Sequence, residues 1–257
     1  MQKKIIYFFI VLFFISFSVK GQRHEIGVQL GMSNLVGDIG RTNYILQKPL
    51  GNYRELGIPF YGGILYRRNI SPYQSIRVNL GYSHIQFSDA HAKEFYRRNR
   101  YLEGSNSIYE ADVLFEYNFF QVNEEQESLL SPYIFGGVGG MLYKTPQLVI
   151  KDNIVNAAEY VTDVTLAVPF GAGLKYKFNY NWALFGELMF RPTFSDSVDY
   201  STVEDKNISI TKSTLTDQQV AEIKRDRQIG NPNSKDWVNS ITLGLSYSFG
   251  RPPCFCD

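Results

Sequence analysis

The amino-acid sequence predicts an all-β fold, namely an eight-stranded antiparallel transmembrane β-barrel with long extracellular loops. Three observations predict it. Eight segments of about 10 to 13 residues alternate apolar with polar side chains. The connections between these segments alternate between short and long. Beyond the first 21 residues, no stretch is long and apolar enough for a membrane helix, and only helices and closed barrels satisfy every backbone group in lipid.

The first element is a signal peptide expected over residues 1–21. Lys3 and Lys4 precede an uncharged run from Ile5 to Val19, which at about 15 residues is shorter than the roughly 20 that a membrane-spanning helix needs. We expect cleavage before Gln22. An uncleaved anchor is the alternative, disfavoured because no basic stop-transfer cluster follows. Cleavage would remove three lysines and no acidic residue, so the formal charge of +1 would become about −2 (1 − 3), which does not suggest a nucleic-acid binder.

The barrel is expected over residues 22–250, and its first and last strands alternate most clearly. In the last, over residues 236–249, Ile241, Leu243 and Leu245 alternate with small or polar residues. The first, over residues 25–33, repeats this pattern. Aromatic residues gather near strand ends, as expected for the girdles of a membrane barrel. The six intervening strands are expected at residues 59–68, 75–87, 108–119, 132–143, 166–178 and 182–191.

The lengths of the connections predict the orientation. Residues 69–74 and 179–181 are tight turns, whereas the links after the first, third, fifth and seventh strands have about 20, 20, 20 and 45 residues. Short periplasmic turns and long external loops are usual in outer-membrane barrels. With an even number of strands, we expect an outer-membrane protein with both termini in the periplasm.

The inward-facing positions predict a lumen filled by ion pairs. An eight-stranded barrel is about wide enough for side chains to fill, so bulk passage of solute is not expected. An ion path or a catalytic carboxylate pair is the alternative, but buried charges need partners for structural reasons alone. The expected inward polar residues are Glu25, Gln29, Arg77, Asn79, Glu110, Asp112, Glu116, Lys175, Lys177, Glu187 and Arg191.

Three histidines are the candidates for catalysis or metal binding. They are His24, His84 and His91, and none has a ligand-type partner on the same strand face at i+2. His84 follows Ser83, but adjacent strand residues point to opposite faces. We therefore predict no enzyme activity, no metal site and no cofactor; a lipid A hydrolase would need a serine, histidine and acid set.

The long loops contain two notable segments. Lys93–Tyr101 is basic and aromatic, so Arg97, Arg98 and Arg100 are candidates for contact with lipopolysaccharide phosphate or a partner, the alternative being an ordinary solvated face. Thr216–Lys224 predicts a short amphipathic helix with Asp217 near its start. The 192–236 loop that contains this helix is expected to fold over the barrel mouth.

Residues 251–257 form a periplasmic tail that contains both cysteines of the chain, Cys254 and Cys256. Pro252 and Pro253 keep this segment extended. A disulfide between cysteines so close in sequence would close a strained ring. The alternatives are a strained or unpaired thiol pair and a disulfide to another protein; we favour the second because extracytoplasmic thiols seldom stay free.

Four segments resemble the PorG family of outer-membrane barrels, which is associated with the type IX secretion system and with gliding motility. They are Gln22–Gly27, Asn34–Gly40, Asn231–Trp237 and Leu245–Cys256. The resemblance implies a non-enzymatic component that holds the periplasmic ring, a lipoprotein and its companion protein, at the outer membrane among its lipids. Within the tail it nominates Cys254 and Cys256 for attachment. The alternative is a free-standing OmpA-like or OmpW-like barrel that binds or admits small apolar molecules.

Overall fold

The computed structural model describes residues 24–45, 53–123, 128–152, 154–202, 207–211, 215–231 and 233–250. The expected signal peptide and the tail with Cys254 and Cys256 lie outside the described residues. Ten strands are present in these ranges. They are β1 (His24–Val36), β2 (Phe60–Asn69), β3 (Gln74–Ser88), β4 (Glu103–Asn118), β5 (Leu129–Lys151), β6 (Ile154–Ala167), β7 (Phe170–Lys177), β8 (Trp182–Pro192), β9 (Ile208–Thr211) and β10 (Trp237–Phe249).

The sheet closes into a ring of antiparallel strands. Going round the ring, the hydrogen-bonded order is β1, β2, β3, β4 and β5, followed by β6 together with β7 in one position, then β8, and last β10. β1 and β10 close it in continuous register from His24 opposite Phe249 to Val36 opposite Trp237. Closure leaves no open sheet edge within the wall. The predicted antiparallel barrel is therefore confirmed.

The sixth wall strand consists of β6 and β7, which both pair with β5 and are separated by Val168 and Pro169. The sequence predicted a strand over 166–178 and a long loop before it. The prediction of that loop was wrong, because β5 continues to Lys151 and the chain then returns as β6. This hairpin extends the sheet past the barrel mouth. β9 adds to the free side of β5 in parallel.

The alternating sequence gives the wall two different faces. Apolar side chains point outward and are exposed, including Leu30 at 69% and Leu243 at 75%. The residues between them point inward and are mostly polar and buried. An apolar outer band around a polar interior is the arrangement of outer-membrane-type barrels. Among the described helices, none is long and apolar enough to cross a membrane.

The two ends of the barrel differ. His24, Phe249 and the short turns at residues 70–73 and 178–181 lie at what we call the terminus end. The longer connections lie at the opposite, loop end, with helices α1 (Tyr53–Leu56), α2 (Phe95–Arg98) and α3 (Asp217–Arg227). Under these loops lies an apolar cluster of buried residues, composed of Leu35, Ile39, Ile85, Phe87, Ile108, Met141, Tyr143, Ala167, Val198 and Val238.

Candidate functional site: the filled lumen and its closed mouth

The lower lumen contains a chain of buried ion pairs. Arg67 donates from Nη1 to Glu25 Oε2 at 2.7 Å and from Nε to Glu116 Oε2 at 2.5 Å. Arg77 Nη1 lies 2.7 Å from the other oxygen of Glu116 and also pairs with Glu187. All five side chains are almost completely buried. The predicted ion-pair network therefore crosses the lumen from strand to strand, and it excludes a continuous open path at this level.

Lys175 completes the charge balance of this network. Its Nζ lies 2.7 Å and 2.9 Å from the two oxygens of Glu25, so three cations, Arg67, Arg77 and Lys175, face three carboxylates. Asn123, from the connection after β4, lies under the lumen and donates to Ser71 O at 3.1 Å. This polar floor closes the terminus end of the barrel.

Higher in the lumen, one cation faces two carboxylates. Arg191 Nη2 lies 2.8 Å from Glu110 Oε1, and its Nε lies 4.0 Å from Asp112 Oδ2. Asn79 stands opposite Asp112 in the β3–β4 register, and neither of its amide atoms meets a hydrogen-bond partner among the described residues. The Arg191 guanidinium also lies 5.0 Å from the centre of the Tyr61 ring. Polar and aromatic groups therefore fill this level too.

The mouth is closed by the segment after β8, residues 193–202, which we call the lid. After pairing with Ala167 at Thr193, the chain turns inward and places Val198 in the apolar cluster. Asp236 accepts from the amide of Val198 at 2.9 Å, and Asp199 accepts from the amide of Ile39 at 2.8 Å. The expectation that the 192–236 loop covers the mouth is confirmed for this segment.

Aspartates hold the lid, and burial changes their titration. Burial raises the pKa of Asp196 to about 6, although a hydrogen bond from the Thr202 hydroxyl at 2.7 Å works against this shift. Burial, followed by repulsion from Asp199 and Asp196, raises the pKa of Asp236 well above its ordinary value. Burial likewise raises the pKa of Asp199. The lid is therefore held by carboxyl groups whose charge is disfavoured where they lie.

The three loop arginines bind other parts of the loops. Arg97 is buried and donates to Gly37 O at 3.1 Å and to Gly40 O at 3.2 Å. Arg100 lies 3.0 Å from Asp89 Oδ2 in its own loop and donates from Nη2 to Asp38 O at 2.8 Å in the loop after β1. Arg98 donates to two carbonyl groups of its own loop. This geometry makes Arg97 and Arg100 cross-links between loops, and their contact with lipopolysaccharide or a partner stays a prediction.

The structure gives His24 and His84 structural partners. His84 Nδ1 lies 3.2 Å from Ser107 Oγ, and its Nε2 lies 2.7 Å from Leu56 O. Ser83 faces the lumen and is buried, away from His84, as predicted. The Ser107 contact was missed because cross-strand neighbours depend on register. A backbone carbonyl occupies the position where a relay would need a carboxylate.

His24 lies at the terminus end, where its Nδ1 is 2.6 Å from the Tyr66 hydroxyl and its ring stacks on Phe249. Within the described ranges, no group of three His, Cys, Asp or Glu side chains has metal-binding geometry. His24 and His84 therefore connect strands and loops, and the side chain of His91 lies outside the described part of the structure.

The fold and the filled lumen define a class, that of small transmembrane β-barrels of the outer-membrane type. Within it, the chain belongs to the family described as "Domain of unknown function (DUF6089)", whose model matches residues 3–257. A comparison with curated proteins finds no match.

Several solved barrels are similar in outline. Ail, the attachment invasion locus protein of Yersinia pestis, shares 14% identity at a TM-score of 0.44, covering 90% of this chain and 100% of that one. OprG of Pseudomonas aeruginosa shares 10% identity at a TM-score of 0.39, covering 90% of this chain and 96% of that one. The N-terminal barrel domain of Pseudomonas aeruginosa OprF shares 11% identity at a TM-score of 0.39, covering 90% of this chain and 98% of that one. At such TM-scores these likenesses add nothing to the strand pairing, which itself establishes the barrel.

Proposed function

We propose that this protein is a non-enzymatic outer-membrane component of the type IX secretion and gliding machinery, anchoring the periplasmic lipoprotein ring and its companion protein. The observation that carries the proposal is the filled lumen, in which Arg67, Arg77 and Arg191 are completely buried among carboxylates. A barrel filled in this way does not serve as a conduit, so its function belongs to its surfaces and ends. The same filling disfavours the alternative of a barrel that admits small apolar molecules.

The position of the terminus end supports the same proposal. β10 ends at Phe249, and Gly250 follows with φ of +82°, a left-handed conformation that glycine adopts readily. The two-cysteine tail therefore starts at the end with the short turns. With that end in the periplasm, the tail meets the ring on the correct side of the membrane, and Cys254 and Cys256 are the proposed points of attachment.

Non-reducing electrophoresis of outer membranes tests the attachment. We expect a high-mass species that disappears on reduction and in the double variant Cys254→Ser, Cys256→Ser, and that contains the ring lipoprotein or its companion. Each single variant is the matched control and shows which thiol is used. A barrel that runs alone under all conditions, and that copurifies with neither ring protein under native conditions, would contradict the proposal.

A further inference from the structure

The hairpin of β5 and β6 leaves one sheet edge without a partner beyond the barrel mouth. β6 pairs with β5 on one side. On its other side, the wall follows β6 only to Phe194, whose amide donates to Leu166 O at 3.0 Å. After Phe194 the chain turns inward as the lid. No described strand continues along residues 159–164, so this part of β6 is the end of the sheet.

The backbone direction shows which groups are unpaired. Leu166 O points away from β5, toward Phe194. Every second residue of a strand points its backbone groups to the same side, so those of Val164, Thr162 and Tyr160 also point away from β5. We call this the free side of β6. The Val164 amide donates a hydrogen bond to Oδ1 of the neighbouring Asp163 at 2.8 Å. The amide and carbonyl groups of Thr162 and Tyr160 have no partner in the described part of the chain. Such a row of groups is a template for another strand.

The edge stands clear of the lipid-facing wall. Val164 is opposite Leu142, which is opposite Tyr109 in the next strand. Tyr109 packs on Tyr82, and Tyr82 packs on Phe60 at the loop end of β2. Residues 159–163 therefore project beyond this aromatic cluster. Residues 159–164 contain neither the lysine nor the proline that commonly protects a natural edge strand, and their protection consists of the carboxylates of Glu159 and Asp163 and the register shift beside Gln147.

The side chains along this edge specify the occupant. Tyr160 and Val164 lie on one face and are each 61% exposed. The Tyr160 ring also packs against Tyr200 of the lid, with 5.5 Å between the ring centres. Glu159 and Asp163 lie on the other face. A second copy of this edge would bring four carboxylates onto one small sheet, and pairing centred on Val161 would set Glu159 opposite Asp163, which is unfavourable.

We propose that the free edge of β6 binds an extended, basic segment of another polypeptide by strand addition. The partner segment carries β-branched or apolar side chains beside Tyr160 and Val164, and Lys or Arg beside Glu159 and Asp163. Its backbone takes up the free groups of Thr162 and Tyr160. This surface lies at the loop end, opposite the proposed tail attachment, so the two proposals stand or fall separately.

The test uses the full-length barrel in detergent micelles and the peptide Thr-Lys-Val-Arg-Thr-Lys-Val as the probe. We expect saturable binding by calorimetry and slower amide exchange at Tyr160 and Thr162. The variant Thr162→Pro removes an amide that faces the free side and leaves the β5 ladder intact, and we expect about tenfold weaker binding. Thr162→Val keeps the amide and serves as the matched control, with binding unchanged.

Three outcomes would overturn this inference. One is that the probe does not bind at millimolar concentration. Another is that it binds Thr162→Pro as well as Thr162→Val, which would place it elsewhere. The third is that sedimentation shows a dimer that Thr162→Pro dissociates, which would make a second copy the occupant. Heat-dependent mobility in electrophoresis confirms that both variants are folded.

Discussion

Arg67 joins two carboxylates that come from different parts of the wall, Glu25 on β1 and Glu116 on β4. Replacing it with alanine leaves both buried and without this cation. Because an uncompensated buried charge is costly, we expect Arg67→Ala to lower the free energy of unfolding by about 3 to 5 kcal/mol. Arg68→Ala, at the neighbouring outward and half-buried position, is the control and should cost at most about 1 kcal/mol, as for an interaction near the surface. Urea unfolding in lipid vesicles measures both, and equal losses would contradict the prediction.

The same residue shows what alternation can and cannot predict. Arg77, Glu116 and Lys175 were placed in the lumen from the sequence because each stands between apolar neighbours. Arg67 was missed, since Arg67 and Arg68 are adjacent and either satisfies the pattern by itself. Only the register of β2 with β1, which sets Arg67 opposite Glu25, decides between them. The sequence therefore predicts the chemistry of the lumen but not every member of its network.

At the scale of elements, the seam between β1 and β10 depends on a close approach at Gly31. A Cβ added at this position would overlap the carbonyl oxygen of Ile241, whereas one added at Gly62 would meet only a leucine methyl at 3.5 Å. We expect Gly31→Ala to destabilise the barrel by about 1 to 3 kcal/mol and Gly62→Ala to be nearly neutral. Urea unfolding compares them, and a neutral Gly31→Ala would show that the seam relaxes freely.

The lid is the second element with a measurable property. Asp196 has a pKa of about 6 in the closed lid and about 3.9 in an open chain, so the closed state binds more protons between these values. Closure is therefore most stable below about pH 4 and weakens as pH rises through about 6. We expect the Val198 amide to exchange on the order of tenfold more slowly at pH 5 than at pH 7.5, after correction for the intrinsic rate.

Two variants separate this effect from a general change in the barrel. Asp196→Asn removes one of the three titrating carboxyl groups of the lid and should reduce the pH dependence of exchange at Val198, leaving only the part due to Asp199 and Asp236. Asp217→Asn, at the start of the exposed helix α3, should retain it. Protection that increases with pH, or that is unchanged in Asp196→Asn, would contradict the assignment.

The elements also differ in how far the sequence predicted them. Helix α3 was predicted from its amphipathic pattern and from Asp217 near its start, and the structure adds a capping box in which Thr216 N donates to Gln219 Oε1 at 2.9 Å. The β6 extension was not predicted, because its polar residues do not alternate regularly with apolar ones. The register between β5 and β6 also shifts near Gln147. The lid was expected from the length of the 192–236 loop and from the helix within it. Its anchors, Asp199 and Asp236, bind backbone amides that are distant in sequence, which no local pattern reveals.

At the scale of the whole molecule, the lumen is closed at its mouth and again inside the wall. The lid and its apolar cluster close the mouth, and the network of Arg67, Arg77 and Glu116 closes the level below. We therefore expect no steady ion conductance in planar bilayers from the intact protein. Replacing residues 196–202 with a Gly-Ser linker should also give none, because the network still crosses the lumen.

Combining that replacement with Arg67→Ala and Arg77→Ala opens the mouth and breaks the lower network, while the Arg191 level stays in place, and it leaves carboxylates facing each other across the lumen. These charges attract cations and water, so any conductance gained should favour cations. Steady conductance from the intact barrel would contradict a filled lumen and would revive the alternative of a passage. Conductance from the linker variant alone would show that the network opens once the lid is gone, and that the lid is the true barrier.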